Sequence, residues 1–232
     1  MLFLSLITGI FGYRIVHPEV PEQGFWYSFW EDYYANISAE FGSVAITVLI
    51  IDTLSRRRQK QEEKQRLIRQ MSNKDNGIAL QAVEELKALN ALKDGTLRRI
   101  NLEEANLSGV RLGRVDLRQA RMDFSNLSEG HLFFSNLERA DMSGVDLSGS
   151  VLTGANLRSA NLVASNFCGA LLSEADLMNA KLDNAKFDEN TRLPDNTNWN
   201  SDVDLARFTD PSHQQFWRSQ MAESPAYAAK RA

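Results

Sequence analysis

The chain has 232 residues, enough for one ordinary domain with accessories or two small ones. Its net charge of −4, from 26 basic and 30 acidic residues, excludes a generally basic nucleic-acid binder and is too mild for an acidic disordered chain. The single cysteine, Cys168, excludes internal disulfides and cysteine-rich zinc sites. His17, His131 and His213 lie too far apart for a local metal motif, so neither metal nor cofactor is expected.

Residues 1–54 hold one basic and six acidic side chains, and residues 55–99 hold twelve and six. Such a swing across an apolar boundary is the pattern of a membrane orientation signal. Residues 1–16 form a short apolar segment without the basic start or the small-residue cleavage site of a signal peptide. It is read as an interfacial helix or a first span, or as a chain whose true start lies upstream. Pro18 and Pro21 break the chain, and an external loop is expected over 17–32, where Glu19, Glu22, Glu31 and Asp32 face no Lys or Arg.

A transmembrane helix is predicted over 33–54. Phe41–Ile51 alone covers roughly 16 Å, whereas 33–54 reaches about 33 Å, enough for a ~30 Å hydrocarbon core. Trp26, Tyr27, Phe29, Trp30, Tyr33 and Tyr34 resemble an interfacial aromatic belt, and Arg56, Arg57, Arg58 and Lys60 mark the cytoplasmic end. Residues 1–54 are thus expected to anchor the protein in lipid at the cell membrane, with the rest in the cytoplasm. A carboxylate within a span is costly, so Glu40 is expected to pair with Arg14, which an antiparallel hairpin places at similar depth. The bland alternative for 33–54 is a buried helix of a soluble protein.

Residues 55–71 are dense in Arg, Lys, Gln and Glu and predict a basic helical stalk, with Glu62 and Arg66 as an i, i+4 pair. No apolar heptad supports a coiled coil. Residues 72–94 read as a loop followed by a capping helix. Ile78, Val83, Leu86 and Leu89 mark its apolar face, and Asp94-Gly95 its end.

A repeat dominates the rest. Every fifth residue from Leu97 to Phe187 is Leu, Met or Phe, through 19 consecutive positions. The residue two before each is always Gly, Ala, Ser, Val or Ile, and Asn or Asp often lies between, as in Ala105-Asn106-Leu107 and Ala175-Asp176-Leu177. A period of five fits neither helix nor flat strand. It demands a coil in which positions i and i−2 point inward and a corner follows each repeat. These residues resemble the pentapeptide-repeat family, whose pattern is A-(D/N)-L-x-x. The resemblance implies an all-β solenoid over 95–190, a right-handed quadrilateral β-helix with 20 residues per coil, preceded by the transmembrane and stalk α-helices. Met122 and Met142, and Phe167 and Phe187, are each 20 apart, which agrees with like stacking on like. The solenoid is expected to be roughly 23 Å long. Its open ends need covers: the 78–92 helix at one, and residues 191–220 at the other, with 221–232 as a loose tail.

No catalytic set can be assembled: there is no phosphate loop and no Ser/His/Asp constellation, and Cys168 has no histidine in its column. The expected function is that of a membrane-anchored, non-catalytic scaffold presenting the solenoid to an unknown protein partner or a second copy. Some members of the family protect DNA gyrase by mimicking DNA, which is the alternative reading. It requires a strongly acidic surface, whereas the repeat is only mildly acidic and carries arginines 98, 99, 118, 139 and 158 along one face, and nucleic acid is not expected as a partner. Sorted by 20-residue columns, three faces carry mostly polar residues before the inward Leu. The fourth reads Arg111, His131, Val151 and Leu171, with Phe133 and Phe134 beside them. Such a face is expected either to take a partner or to be covered by Phe208, Phe216 or Trp217.

Overall fold

The computed structural model of the chain describes residues 22–92 and 95–226, and for 22–29 and 31–45 the backbone alone. The chain divides into two units, Met1–Gln61 and Glu62–Ala232. The first helix, α1 (Glu22–Met71), has 50 residues and runs through the boundary between them. Residues 22–32, expected as loop, are helical, because no proline follows Pro21 before position 194 and nothing else ends the turn. Residues 1–16, Arg14 and the side chain of Glu40 lie outside the described residues, and so does the expected Arg14–Glu40 pair.

In the first unit, Ile46, Val48, Leu49, Ile50, Ile51 and Leu54 are all more than half exposed. Four of them are consecutive, so they point to every side of the helix. Among the described residues no helix is long and apolar enough to cross a membrane. The predicted 33–54 span falls largely on residues 33–45, whose side chains are outside the description.

The second unit opens with the last turns of α1, where Leu67 and Met71 are buried. Arg66 reaches Glu63 at 4.0 Å and Glu85 at 3.9 Å rather than serving the expected i, i+4 pair alone. The next helix, α2 (Asn76–Ala88), starts at Asp75, whose carboxylate accepts the Ile78 N–H at 3.1 Å. It stops earlier than expected, with Asn90 in the left-handed region at φ 53°. Its buried face is Ala79, Ala82, Val83 and Leu86, while Ile78 and Leu89 lie off it and are exposed. The small alanines let the helix approach the solenoid closely, a preference the count of large apolar residues concealed.

From Asn101 to Arg192, single residues pair in parallel with partners one coil away: Asn101 with Arg121, Asn106 with Asn126, Arg111 with His131, Asp116 with Asn136, and so on. These pairings define four columns and hence four faces of a β-helix solenoid. Face 1 runs Asp116–Asn136–Asn156–Asp176 and face 2 Asn101–Arg121–Asp141–Asn161–Lys181. Face 3 runs Asn106–Asn126–Asp146–Asn166–Lys186 and face 4 Arg111–His131–Val151–Leu171–Arg192. The inward Leu, Met and Phe are fully buried from Leu97 to Leu172, and the small residues two before them close the corners.

The period of five has a backbone cause. The residue two after each inward side chain is left-handed throughout, from Arg99 at φ 59° to Asn184 at φ 58°. The N–H that follows returns to the inward residue's carbonyl, as Ala105 does to Leu102 at 3.1 Å, which closes a turn every five residues. The Asn or Asp before the inward residue fastens that turn. Asn126 accepts the Ser128 N–H at 3.0 Å and Asp176 the Met178 N–H at 3.0 Å. Three of the inward serines are satisfied locally as well: the hydroxyls of Ser125, Ser135 and Ser165 donate to carbonyls three residues back, whereas the buried Ser150 hydroxyl has no partner among the described residues.

Both ends are covered. At the first coil the Ser72 hydroxyl donates to the Asn101 carbonyl at 2.6 Å, and the Asn76 amide donates to the carbonyls of Asn106 and Ser108. At the other end Phe167, Phe187 and Trp199 form a stacked column with centroids 5.2 and 6.2 Å apart. The chain then folds back antiparallel, Arg192 against Asn198, and a short helix α3 (Ala206–Thr209) buries Phe208. The expected loose tail is tied down through Ala226. The Ser224 hydroxyl donates to the Glu174 carbonyl at 2.8 Å, and the Ser219 hydroxyl donates to the Glu174 carboxylate.

Candidate interaction surface

On faces 1 to 3 side chains of the outer columns bond from coil to coil. Asn161 donates to Asp141 at 2.9 Å, Asn166 to Asp146 at 3.0 Å and Asn156 to Asn136 at 3.2 Å, so neighbouring coils are laced together on the outside. Face 1 adds a charged cluster. Arg118 grips Asp116 with two parallel bonds of 2.9 and 2.7 Å, and Arg98 approaches the same carboxylate at 3.5 Å. The Arg118 hydrogen bond, first of all, holds the Asp116 carboxyl below the usual range, against the partial burial that opposes it. The arginines singled out on this face are therefore partly neutralised in place: Arg139 reaches Glu138 at 4.0 Å and Arg158 reaches Asp176 at 3.6 Å.

Face 4 has no such lacing. The structure brings the six candidate positions together: His131, Val151 and Leu171 line one column below Arg111, with Phe133 and Phe134 on the adjoining turn. Phe133 is 38% exposed and Leu171 37%, His131 is exposed, and Val151 and Phe134 are half-buried. The two rings meet edge to face, with centroids 6.5 Å apart at 88°. Each lies on a glycine of a neighbouring coil. A Cβ at Gly113 would come within 2.4 Å of the Phe133 ring, and one at Gly154 within 2.5 Å of Phe134. Arg114 caps Phe134 from 5.0 Å. The repeat pattern did not reveal these seats, although a Phe and a Gly exactly one coil apart in the sequence are the signal.

Phe208 and Trp217 pack on each other at 6.0 Å and join the core, and Phe216 lies beneath Arg218. Leu171 and Phe133 stay exposed in the presence of the whole described C-terminal segment. Among the described residues no group of His, Cys, Asp and Glu could hold a metal ion. Cys168 is half-buried on face 3, and its N–H donates to Asn166 at 3.2 Å.

What this arrangement can do is present a rigid, partly apolar surface. The class it defines is that of repeat solenoids. Residues 97–132, 131–167 and 155–189 match the family model for pentapeptide repeats, in eight copies. The chain carries a pentapeptide-repeat domain over this stretch. Among solved structures it is similar to a pentapeptide repeat protein (Rfr23) from the cyanobacterium Cyanothece 51142. There the identity is 34% over 44% of this chain and 65% of that one, with a TM-score of 0.40. It is also similar to HetL, a pentapeptide repeat protein involved in heterocyst differentiation regulation from the cyanobacterium Nostoc sp. strain PCC 7120. That identity is 32% over 45% of each chain, with a TM-score of 0.32. A more distant likeness is to QnrB1, a plasmid-mediated fluoroquinolone resistance protein, at 17% identity over 38% of this chain and 52% of that one, with a TM-score of 0.20. The chain thus spans about two thirds of the first of these structures and less than half of the second. No curated protein matches.

Proposed function

We propose that this chain is a non-catalytic scaffold, held at the cell membrane by the apolar part of α1 and presenting face 4 of its solenoid to a protein partner on the cytoplasmic side. The observation that carries the tether is the run Ile46 to Leu54, whose apolar side chains are exposed all round and are followed at once by Arg56, Arg57 and Arg58. A helix apolar on every side is stable only in protein core or lipid, and nothing described in the chain covers this one. Lys and Arg beside such a segment favour the cytoplasmic side. The observation that carries the scaffold is face 4, which exposes Phe133 and Leu171 and has no side-chain bonds between coils in its outer column. The DNA-mimic alternative calls for an acidic exterior, whereas faces 1 and 4 carry most of the solenoid's arginines.

Flotation with lipid vesicles tests the tether. The full chain is expected to float, and Ile50→Asn with Leu49→Asn to stay behind; a wild-type chain left in the soluble fraction refutes it. Orientation is read with Cys168, the only thiol. Labelling by a membrane-impermeant reagent is expected only after lysis, and labelling of intact cells contradicts the cytoplasmic placement.

A further inference from the structure

Around the coil the faces follow one another in the order 1, 2, 3, 4, so faces 2 and 4 are opposite sides of the same rigid body. Three large apolar side chains of the solenoid remain exposed among the described residues: Phe133 and Leu171 on face 4, and Phe124, 68% exposed, on the Arg121 rung of face 2. Phe124 is seated like the others, its ring within 2.7 Å of where a Cβ at Gly144 would lie. The two sides also differ in charge. Face 4 carries Arg111, Arg114 and Arg192 against two carboxylates: Glu174, which accepts from the Ser219 hydroxyl, and Asp195, which is paired with Arg207. Among the described residues none of these three arginines has a carboxylate within ion-pair distance, and Arg114 rests on a ring instead.

Face 2 carries Glu103, Glu104, Asp123, Asp141 and Asp183 against Arg121 and Lys181. Arg121 is shared by Glu103 at 2.9 Å and Asp123 at 4.0 Å, and Glu104 is held by Lys74. Asp141 accepts only neutral donors, from Ser143 and Asn161, and Asp183 has no cation within reach among the described residues. Uncompensated cations beside exposed rings on one side thus face away from uncompensated carboxylates beside an exposed ring on the other.

We infer that the partner of face 4 is face 2 of a second copy of this chain. Two copies lying side by side place opposite charges and the apolar side chains in register, with the equal coil spacing of both bodies setting the match. Face 4 against face 4 would instead bring six arginines together, so the contact is heterologous and extends from copy to copy. One side of a solenoid about 23 Å long offers less area than the ~800 Å² per partner of a stable complex. The contact is therefore weak and concentration-dependent, and confinement to one membrane strengthens it by raising local concentration. The inference rests on the scaffold reading and names its partner; it does not need the tether.

A charge swap tests it. The full chain in density-matched detergent is followed by sedimentation equilibrium, with Arg111→Glu/Arg192→Glu on face 4 and Glu103→Lys/Asp183→Lys on face 2. All four side chains are exposed, and thermal melts verify that each variant stays folded. Wild type is expected to self-associate more weakly as salt rises. Each double variant alone should associate at least about fivefold more weakly, and an equimolar mixture of the two should recover association, because each reversed face then meets its complement. Wild-type behaviour of both variants overturns the inference. So does loss confined to the face 4 variant without recovery on mixing, which would assign the contact to face 4 alone. A wild type that never self-associates overturns it too, and assigns face 4 to a different molecule. The tether fails separately, in the flotation assay.

Discussion

Faces 3 and 4 share one core and one backbone, yet their outer columns differ in kind. On face 3 Asn126, Asp146 and Asn166 each accept the N–H two residues on, and Asn166 also donates to Asp146. On face 4 His131, Val151 and Leu171 occupy the same column and offer no oxygen for that bond. The coils stack alike all the same: the Val151 N–H reaches the Gly130 carbonyl at 2.8 Å, and the Asn166 N–H reaches Val145 at 2.9 Å. Closure therefore comes from the inward side chains and the backbone bonds between coils. The outer column adds to it on three faces and is released for other contacts on the fourth.

The first way to break this comparison is at the core. Leu147→Ala on face 3 and Leu152→Ala on face 4 remove equally buried side chains and are expected to cost about 2–5 kcal/mol each in urea unfolding. If face 4 tolerated the loss and face 3 did not, the faces would not share one core. The glycine seats come next. Gly149 and Gly154 both have left-handed backbones, at φ +64° and +63°, so alanine strains each by about 1 kcal/mol or more. Over Gly149 lies the Glu129 carboxylate, which can swing into water, while over Gly154 lies the Phe134 ring, held by Phe133 and Arg114. Gly154→Ala is expected to be the costlier; equal melting shifts would show that the rings are not seated.

The outer column itself is a smaller term. Asn166→Ala is expected to cost about 1 kcal/mol through the lost turn and ladder bonds. Val151→Asn should change stability by less than about 0.5 kcal/mol, since it gains a turn bond without ladder partners. Smallest is the charged cluster on face 1. The Asp116 carboxyl is held low by Arg118, so its contribution is present above the ordinary carboxylate pKa and fades as pH falls through the lower folded value. The gap between wild type and Asp116→Asn is expected to be at most about 1 kcal/mol at pH 7 and to close below about pH 4.

The repeat was legible because it is redundant: nineteen inward positions vote on one period, and a single coil cannot bury its Leu without the next. Face 4 was legible for a related reason, as the one column where Asn and Asp are missing. What stayed hidden depends on contacts that a column does not record. The cap helix buries Ala79 and Ala82 rather than Ile78 and Leu89, because closeness to the first coil outweighs size there. Ser219 and Ser224, ordinary polar residues in the sequence, pin the chain's end through Glu174. Phe133 and Phe134 read as a greasy pair, and only the glycines one coil away explain how the two rings are seated.

The most direct test of face 4 as an interaction surface rather than a piece of the folding core is Leu171→Asp, measured for melting and association in the same samples. The substituted carboxylate falls at a 37% exposed position whose backbone bonds remain. Tm is expected to move by less than about 3 °C while association weakens at least about fivefold. A drop in Tm of about 8 °C or more with association unchanged, or no change in either, contradicts the account.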